Sequence, residues 1–329
     1  MSARRHAERS LPVRPLPRAE RLLLIALGGT IACVPSPAGL VPRLPGAALV
    51  ARVRLPRGLE IQAVDLLERT IVFPDDWVTI AAHIFERLGD YAGFVVTLGT
   101  DTLAYLGAAL AVLLPDLPKP VVLTGAMRPI GEPDSDARRN LRAAVTVAQS
   151  GAAGVFVAFD GLVIEALRAS KVRCDAPRAF ESINLPPIAR VGSRGLAWAR
   201  ALPRPSGPPR LDRRLDPDVG LVKLGPQTRP ADLAALRRHR GLVVEGYGDG
   251  NVPGCLVPAL GRLARSRVLV LRSQCTYGRL GHRYEGGAAL LRAGALSAGE
   301  LTTEAATVRL MAALARTRSL AAARRWYVQ

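Results

Sequence analysis

The chain has 329 residues, 49% of them apolar, and carries a formal charge of +18 from 45 basic and 27 acidic side chains. That length predicts about two domains rather than one core, and no run approaches the ~20 uninterrupted apolar residues that a membrane span requires. Its four cysteines, Cys33, Cys174, Cys255 and Cys275, are scattered without a C-x-x-C pair, which excludes a disulfide framework or zinc finger pattern and fits a reducing cytoplasm.

Residues 1–20, rich in arginine and proline, offer little to bury and are expected to form a disordered basic tail. Leu22–Leu27 is a short apolar run closed by Gly28-Gly29. It reads as a buried strand, not a signal h-region, because no small-residue cleavage pattern follows it. Apolar residues at helical spacing mark Pro74–Leu88, then a second strand follows at Phe94–Leu98. A helix over Leu103–Leu114, a strand over Pro120–Thr124, a helix over Asp136–Gln149 and a strand over Gly154–Phe159 continue the alternation. Five prolines and a cluster of arginines punctuate Leu202–Asp218, and strands resume at Leu242–Glu245 and Arg267–Leu271. Alternating strands and helices predict an α/β fold with a mostly parallel sheet flanked by helices. The expected organisation is an N-terminal α/β domain over 21–201, a linker over 202–218 and a smaller C-terminal α/β domain over 219–329.

Two threonine-bearing turns stand out. Gly28-Gly29-Thr30-Ile31-Ala32 follows the first strand, and Gly99-Thr100-Asp101-Thr102 follows the second. In an open α/β sheet, ligands bind beyond the carboxyl ends of strands, and glycine lets the backbone come close to them. A hydroxyl in each loop therefore suggests a small-molecule site. Competing chemistries are poorly supported. None of the four histidines, His6, His83, His239 and His282, adjoins a serine or cysteine in a nucleophile motif, and Gly28-Gly29 lacks the remaining residues of a dinucleotide fingerprint or P-loop. The positive charge invites a nucleic-acid partner, but only Lys119, Lys171 and Lys223 are lysines and no basic helix carries interleaved aromatics. The arginine excess reads as a bias of the whole sequence, so no specific nucleic-acid partner is expected.

The ordered blocks Gly28–Ala32, Gly99–Leu103, Val122–Pro129, Ser135-Asp136 before Asn140-Leu141, and Ser170-Lys171 before Ala179–Ser182 continue through Gly246–Pro253, Ser273-Gln274-Cys275 and Thr303–Ala306. In this order they resemble the bacterial L-asparaginase (asparaginase/glutaminase) family, closest to its cytoplasmic type I branch. The resemblance runs from residue 22 almost to the end. It implies a two-domain α/β amidohydrolase that works without a cofactor or metal, on an amino-acid amide, as a homodimer or homotetramer with no membrane attachment.

By that resemblance Thr30 is the nucleophile, and Thr100, Asp101 and Lys171 complete the catalytic set. Covalent amide hydrolysis needs a nucleophile, a proton route and donors for the oxyanion. Lysine suits the proton route where arginine does not, because a guanidinium effectively never deprotonates. Asp101 has a rival reading as a helix cap. Arg69, Thr70, Gly99, Ala126, Asp249 and Asn251 map to substrate-binding positions. Tyr284 and Glu285 map to the wall supplied by a neighbouring subunit or to an ordinary helix start, and Cys275 reads as packed core. The chain departs from the family pattern at Leu40, where a loop tyrosine is usual, at Arg69 for a serine, at Leu98 for a histidine and at Asp249 for an asparagine. The expected function is hydrolysis of L-asparagine, or a close ω-amide, to the acid and ammonia. Two rivals are an asparaginase-like component of a tRNA-dependent amidotransferase and a non-catalytic amino-acid-binding relative.

Overall fold

A computed structural model describes residues 21–202, 204–281 and 283–328, so the expected tail over 1–20 lies outside the described residues. The chain enters through β1 (Leu22–Gly28), every residue of which is buried. A short hairpin follows, β2 (Cys33–Ser36) with β3 (Gly39–Pro42), then α1 (Gly46–Ala51) and β4 (Ile61–Arg69). Next come α2 (Pro74–Phe85), β5 (Gly93–Thr97), α3 (Leu103–Leu113), β6 (Pro120–Thr124), α4 (Ala137–Ala148) and β7 (Gly154–Phe159). The start of α2 has a clear local cause. Pro74 occupies its first turn, where a missing N–H costs nothing, and the Asp76 carboxylate accepts the Phe73 N–H at 2.8 Å.

Five strands run parallel in the order β7-β6-β5-β1-β4. Antiparallel strands β8 (Leu162–Glu165), β11 (Ala189–Gly192) and β12 (Gly195–Trp198) extend the sheet to eight. Between them the chain makes a separate two-stranded ribbon, β9 (Ala169–Lys171) with β10 (Phe180–Ser182). The pleat explains the continuous apolar runs. Leu23, Ile25 and Leu27 enter one core with α2 and α3, while Leu22, Leu24 and Ala26 enter the other with α1 and α4. Truncating any of these leucines to alanine would cost about 2–5 kcal/mol, because both the transfer and cavity terms apply.

A smaller unit follows. Strands β13 (Val219–Lys223), β14 (Gly241–Gly246), β15 (Val268–Ser273) and β16 (Leu296–Ser297) form a parallel sheet in that order. Helices α5 (Val257–Ser266) and α6 (Glu285–Arg292) cover one face, and α7 (Thr303–Arg316) and α8 (Leu320–Val328) the other. Ala305, Val308 and Met311 of α7 join the core that holds α3, which accounts for α3 being apolar on nearly all sides. Residues 204–218 form no helix or strand, yet they are tied down: Asp212 N–H donates to Leu113 O at 2.8 Å and Asp216 N–H to Met311 O at 3.0 Å.

Candidate active site

The sheet order fixes where a ligand can sit. From β1 the chain moves out to the edge strand β4, then returns across β1 to form β5 on its other side. Connections therefore leave the carboxyl ends of β1 and β5 in opposite directions and open a crevice between them, the usual ligand position of a doubly wound sheet. Gly28-Gly29-Thr30 and Gly99-Thr100-Asp101 are the two loops at that crevice. They touch. A Cβ on Gly29 would overlap the Gly99 nitrogen, and one on Gly99 would overlap the Thr70 carbonyl oxygen. Gly29 also has φ 78° and ψ 176°, a region that only glycine occupies comfortably, and its N–H donates to Arg69 O at 2.9 Å. Three backbones thus cross in van der Waals contact, with Thr30, Thr100 and Thr70 at or next to the crossing.

Thr30 opens a single 3₁₀ turn, half-buried, and its hydroxyl has no hydrogen-bond partner among the described residues. Cys33 closes the same turn by donating its thiol to Gly29 O at 3.4 Å; burial pushes the thiol pKa up, so it remains protonated. Across the crevice, Lys171 Nζ donates to Thr100 Oγ1 and to Asp101 Oδ1, both at 2.7 Å. Thr100 is buried, Lys171 is mostly covered, and Asp101 is open to solvent. Asp101 turns its carboxylate to Lys171 and makes no cap on α3, which removes the rival reading. Lys171 lies 70 and 71 residues along the chain from the adjacent Asp101 and Thr100, and the fold brings it to them.

The loop after β6 forms the floor. Asp136 accepts hydrogen bonds from Met127 N–H at 3.0 Å, Arg128 N–H at 3.1 Å and Asn140 Nδ2 at 2.9 Å. Asn140 in turn reaches Gly125 O at 3.1 Å and accepts the Asp160 N–H at 2.9 Å. Both polar side chains are buried, and Ala126 sits wholly buried within the loop they hold. The sequence showed this pair only as a motif without a role; an acidic residue at a helix start is the signal that marks such a latch.

The other expected residues are placed differently. Thr70 is exposed beside the crossing. Arg69, half-exposed, directs Nη1 at both oxygens of Asp76, 3.1 and 3.2 Å away, a partner that the sequence reading missed. Asp249 and Asn251 lie on the loop after β14, and among the described residues no hydrogen bond joins either to Thr30, Thr100, Asp101 or Lys171. Asp249 instead accepts from Gly281 N–H and from Arg283 Nε at 3.0 Å, and the Arg283 guanidinium holds its carboxyl below the usual range. Asn251 pairs through its backbone with Tyr247. Tyr284 precedes α6 with its ring exposed, and Glu285 lies in the first turn of that helix. Leu40 projects from the β2–β3 hairpin into solvent, and Leu98 is buried in the core. Cys275 corrects an expectation. It is exposed rather than packed, because its loop runs outward past β15, and Cys33 is the buried thiol.

Among the described residues no three or more His, Cys, Asp or Glu side chains converge to hold a metal, and no helix is long and apolar enough to cross a membrane. The crevice offers a free hydroxyl, a second hydroxyl held by an ammonium, and a carboxylate on the same ammonium. That set can attack an acyl carbon, move the displaced proton, and attract a charged amino acid.

The family model for the N-terminal asparaginase domain matches residues 21–204, and that for the glutaminase/asparaginase C-terminal domain matches residues 218–327. An L-asparaginase of Thermococcus kodakarensis is 42% identical over 311 residues, covering 91% of this chain and 94% of the relative. The solved structure of the thermostable L-asparaginase from that organism superposes with a TM-score of 0.89 at 40% identity, over 94% of this chain and 97% of the other. L-asparaginase I from Vibrio cholerae gives a TM-score of 0.82 at 26% identity over the same shares. One component of the glutamyl-tRNA(Gln) amidotransferase of Pyrococcus abyssi is 36% identical over 75% of this chain, which spans 60% of that relative. With both domain models matched in order along one chain, and with its α/β fold shared by solved members, this protein belongs to the asparaginase family.

Proposed function

We propose that the protein is an amidohydrolase of the L-asparaginase type, converting L-asparagine or a close ω-amide to the acid and ammonia. The observation that carries this reading is Lys171 Nζ bridging Thr100 Oγ1 and Asp101 Oδ1 at 2.7 Å, across the crevice from the unpartnered Thr30 hydroxyl. Thr30 Oγ attacks the side-chain amide carbon and forms an ester; its proton passes to the leaving nitrogen, which departs as ammonia. Water then hydrolyses the ester and Thr30 recovers its proton. Lys171 donates to Thr100, which leaves the Thr100 hydroxyl proton free to point into the crevice and serve this transfer. Asp101, exposed on the far side of Lys171, orients that lysine and faces the α-ammonium of the substrate. Arg69, Thr70 and Gly99 line the substrate's path, Ala126 supports its floor from within the buried loop, and Asp249 and Asn251 act from the C-terminal unit.

Assembly bears on the same site. Among the described residues the C-terminal unit makes no hydrogen bond to the side chains of Thr30, Thr100 or Asp101, and it exposes the rings of Tyr277 and Tyr284. A homodimer or homotetramer would bring such a surface to a neighbour's crevice, and light scattering on the active species tests it. The similarity to L-asparaginase I from Vibrio cholerae supports the type I branch. The scattered cysteines support a cytoplasmic setting. The likeness to a glutamyl-tRNA(Gln) amidotransferase component names the second reading, in which the same chemistry supplies ammonia to a tRNA-bound substrate. Ammonia release by the purified protein from L-asparagine and L-glutamine, with and without tRNA, decides. Release from either amide, independent of tRNA, supports the hydrolase; no release without tRNA overturns it.

A further inference from the structure

Lys171 stands on a different platform from the groups it joins. Thr100 and Asp101 follow β5 in the middle of the eight-stranded sheet, whereas β9 has three residues and pairs only with β10, through Phe180↔Lys171 and Glu181↔Ser170. So short a ribbon packs on the N-terminal core through Ala169 and Phe180, and it is also tied to the C-terminal unit. Asn184, just past β10, donates to Gly278 O and Glu300 O, each at 3.1 Å, and accepts the Gly278 N–H at 2.7 Å. Arg168, just before β9, pairs with Glu300 at 3.4 Å. Successive strand residues point to opposite faces. Accordingly Lys171 reaches Thr100 and Asp101 on one face, and on the other Ser170 Oγ donates to Glu304 Oε1 at 2.7 Å.

Glu304 is itself firmly set. It lies in the first turn of α7, where Thr302 caps the helix by accepting the Ala305 N–H at 3.1 Å. Its second oxygen, Oε2, is shut away from solvent with no hydrogen-bond partner among the described residues. A covered carboxylate served by so few donors binds the one it has strongly, since hydrogen bonds to charged groups are the strong ones and unmade bonds are costly.

We propose that Glu304 is a positioning residue: through Ser170 it holds β9 so that Lys171 Nζ stays on Thr100 and Asp101. The proposal rests on the reading of Lys171 as the group that orients Thr100 for the proton transfer. It makes docking of the C-terminal unit a condition for turnover, because the clamp spans the two units.

The test uses the full chain and steady-state ammonia release. Ser170→Ala should lower kcat for L-asparagine by about ten- to a hundredfold, since a displacement of about 1 Å at a reacting group costs up to that much, while KM changes less. Glu304→Ala should match it. Ser170→Thr, which restores a hydroxyl, and Glu304→Gln, which keeps an acceptor oxygen, should recover most of kcat. A purely structural role is separated by adding Ser170→Ala to Lys171→Met. With its target gone, the clamp should contribute nothing, and the residual kcat should fall by less than about twofold. A further fall of about tenfold on top of a crippled Lys171→Met overturns the positioning role alone. Native turnover in Lys171→Met by itself overturns the Lys171 reading, and the clamp with it.

Discussion

Replacing Asp136 by alanine should unlatch the loop after β6 and loosen the crevice floor. The carboxylate is 5% exposed and takes three donors: the N–H groups of Met127 and Arg128 and the side-chain amide of Asn140. The donors do not suffer equally. Asn140 Nδ2 keeps Gly125 O as a partner, and Arg128 is exposed enough for water to replace the lost acceptor. Met127 N–H is partly covered and loses both carboxylate oxygens. An unsatisfied buried donor costs about 1–3 kcal/mol, so the substitution should cost about 2–4 kcal/mol once a partial loss at Arg128 is added. That is a large part of a typical stability of about 5–15 kcal/mol. At about 2–4 °C per kcal/mol for chains of this size, Tm should fall by roughly 5–15 °C. Asp136→Asn keeps one acceptor oxygen and should fall between. Circular-dichroism melts give the stability, and ammonia release gives the consequence at Ala126. A Tm within about 2 °C of the parent for Asp136→Ala would refute the latch, because the lost hydrogen bonds would then be worth less than about 1 kcal/mol.

Arg69→Ser should raise KM for asparagine with a smaller effect on kcat, because it removes binding shared by ground and transition states. Its exposed pair with Asp76 contributes at most about 1 kcal/mol, so Tm should barely move, and an unchanged KM would remove Arg69 from substrate binding. Tyr277 and Glu181 predict a pH signature. Partial burial and the hydrogen bond to Glu181 push the Tyr277 pKa from its ordinary 10 up to about 12, while Tyr277 and then Arg173 hold the Glu181 carboxyl below its usual range. The raised tyrosine contributes stability that is whole below pH 10 and is lost as pH climbs towards 12; the depressed glutamate contributes stability above its ordinary value that is lost as pH falls through the depressed one. Tyr277→Phe should therefore flatten Tm against pH at the alkaline end and soften it at the acid end. A profile parallel to the parent's would contradict the pairing.

How much was legible in the sequence depended on burial and length. Strands β1, β5, β6 and β7 are continuous apolar runs bounded by glycine, proline or turn residues, so periodicity and punctuation marked them directly. Strand β4 escaped because it lies at the sheet edge with its residues half-buried or exposed, which blurs any alternation. Strands β8 to β12 escaped because three or four residues give no period to read. The two threonine loops were legible as loops, since glycines followed by hydroxyls sit at the strand ends. Their mutual contact was not, because it depends on β4 lying outside β1 and sending β5 back across it. The meeting of Lys171 with Thr100 came from the family resemblance alone; 71 residues separate them and no local pattern links them. The pairing of Arg69 with Asp76 and the outward turn of Cys275 are tertiary outcomes of the same kind.

The central claim is that Thr30 is the nucleophile, and Thr30→Val tests it most directly. The change removes the hydroxyl at nearly constant volume, at a position whose side chain makes no hydrogen bond among the described residues, so the fold should keep its Tm. The account predicts that ammonia release from asparagine falls by about a hundredfold to ten-thousandfold, the usual loss when a positioned reacting group is removed. Near-native release by a folded Thr30→Val protein would contradict it.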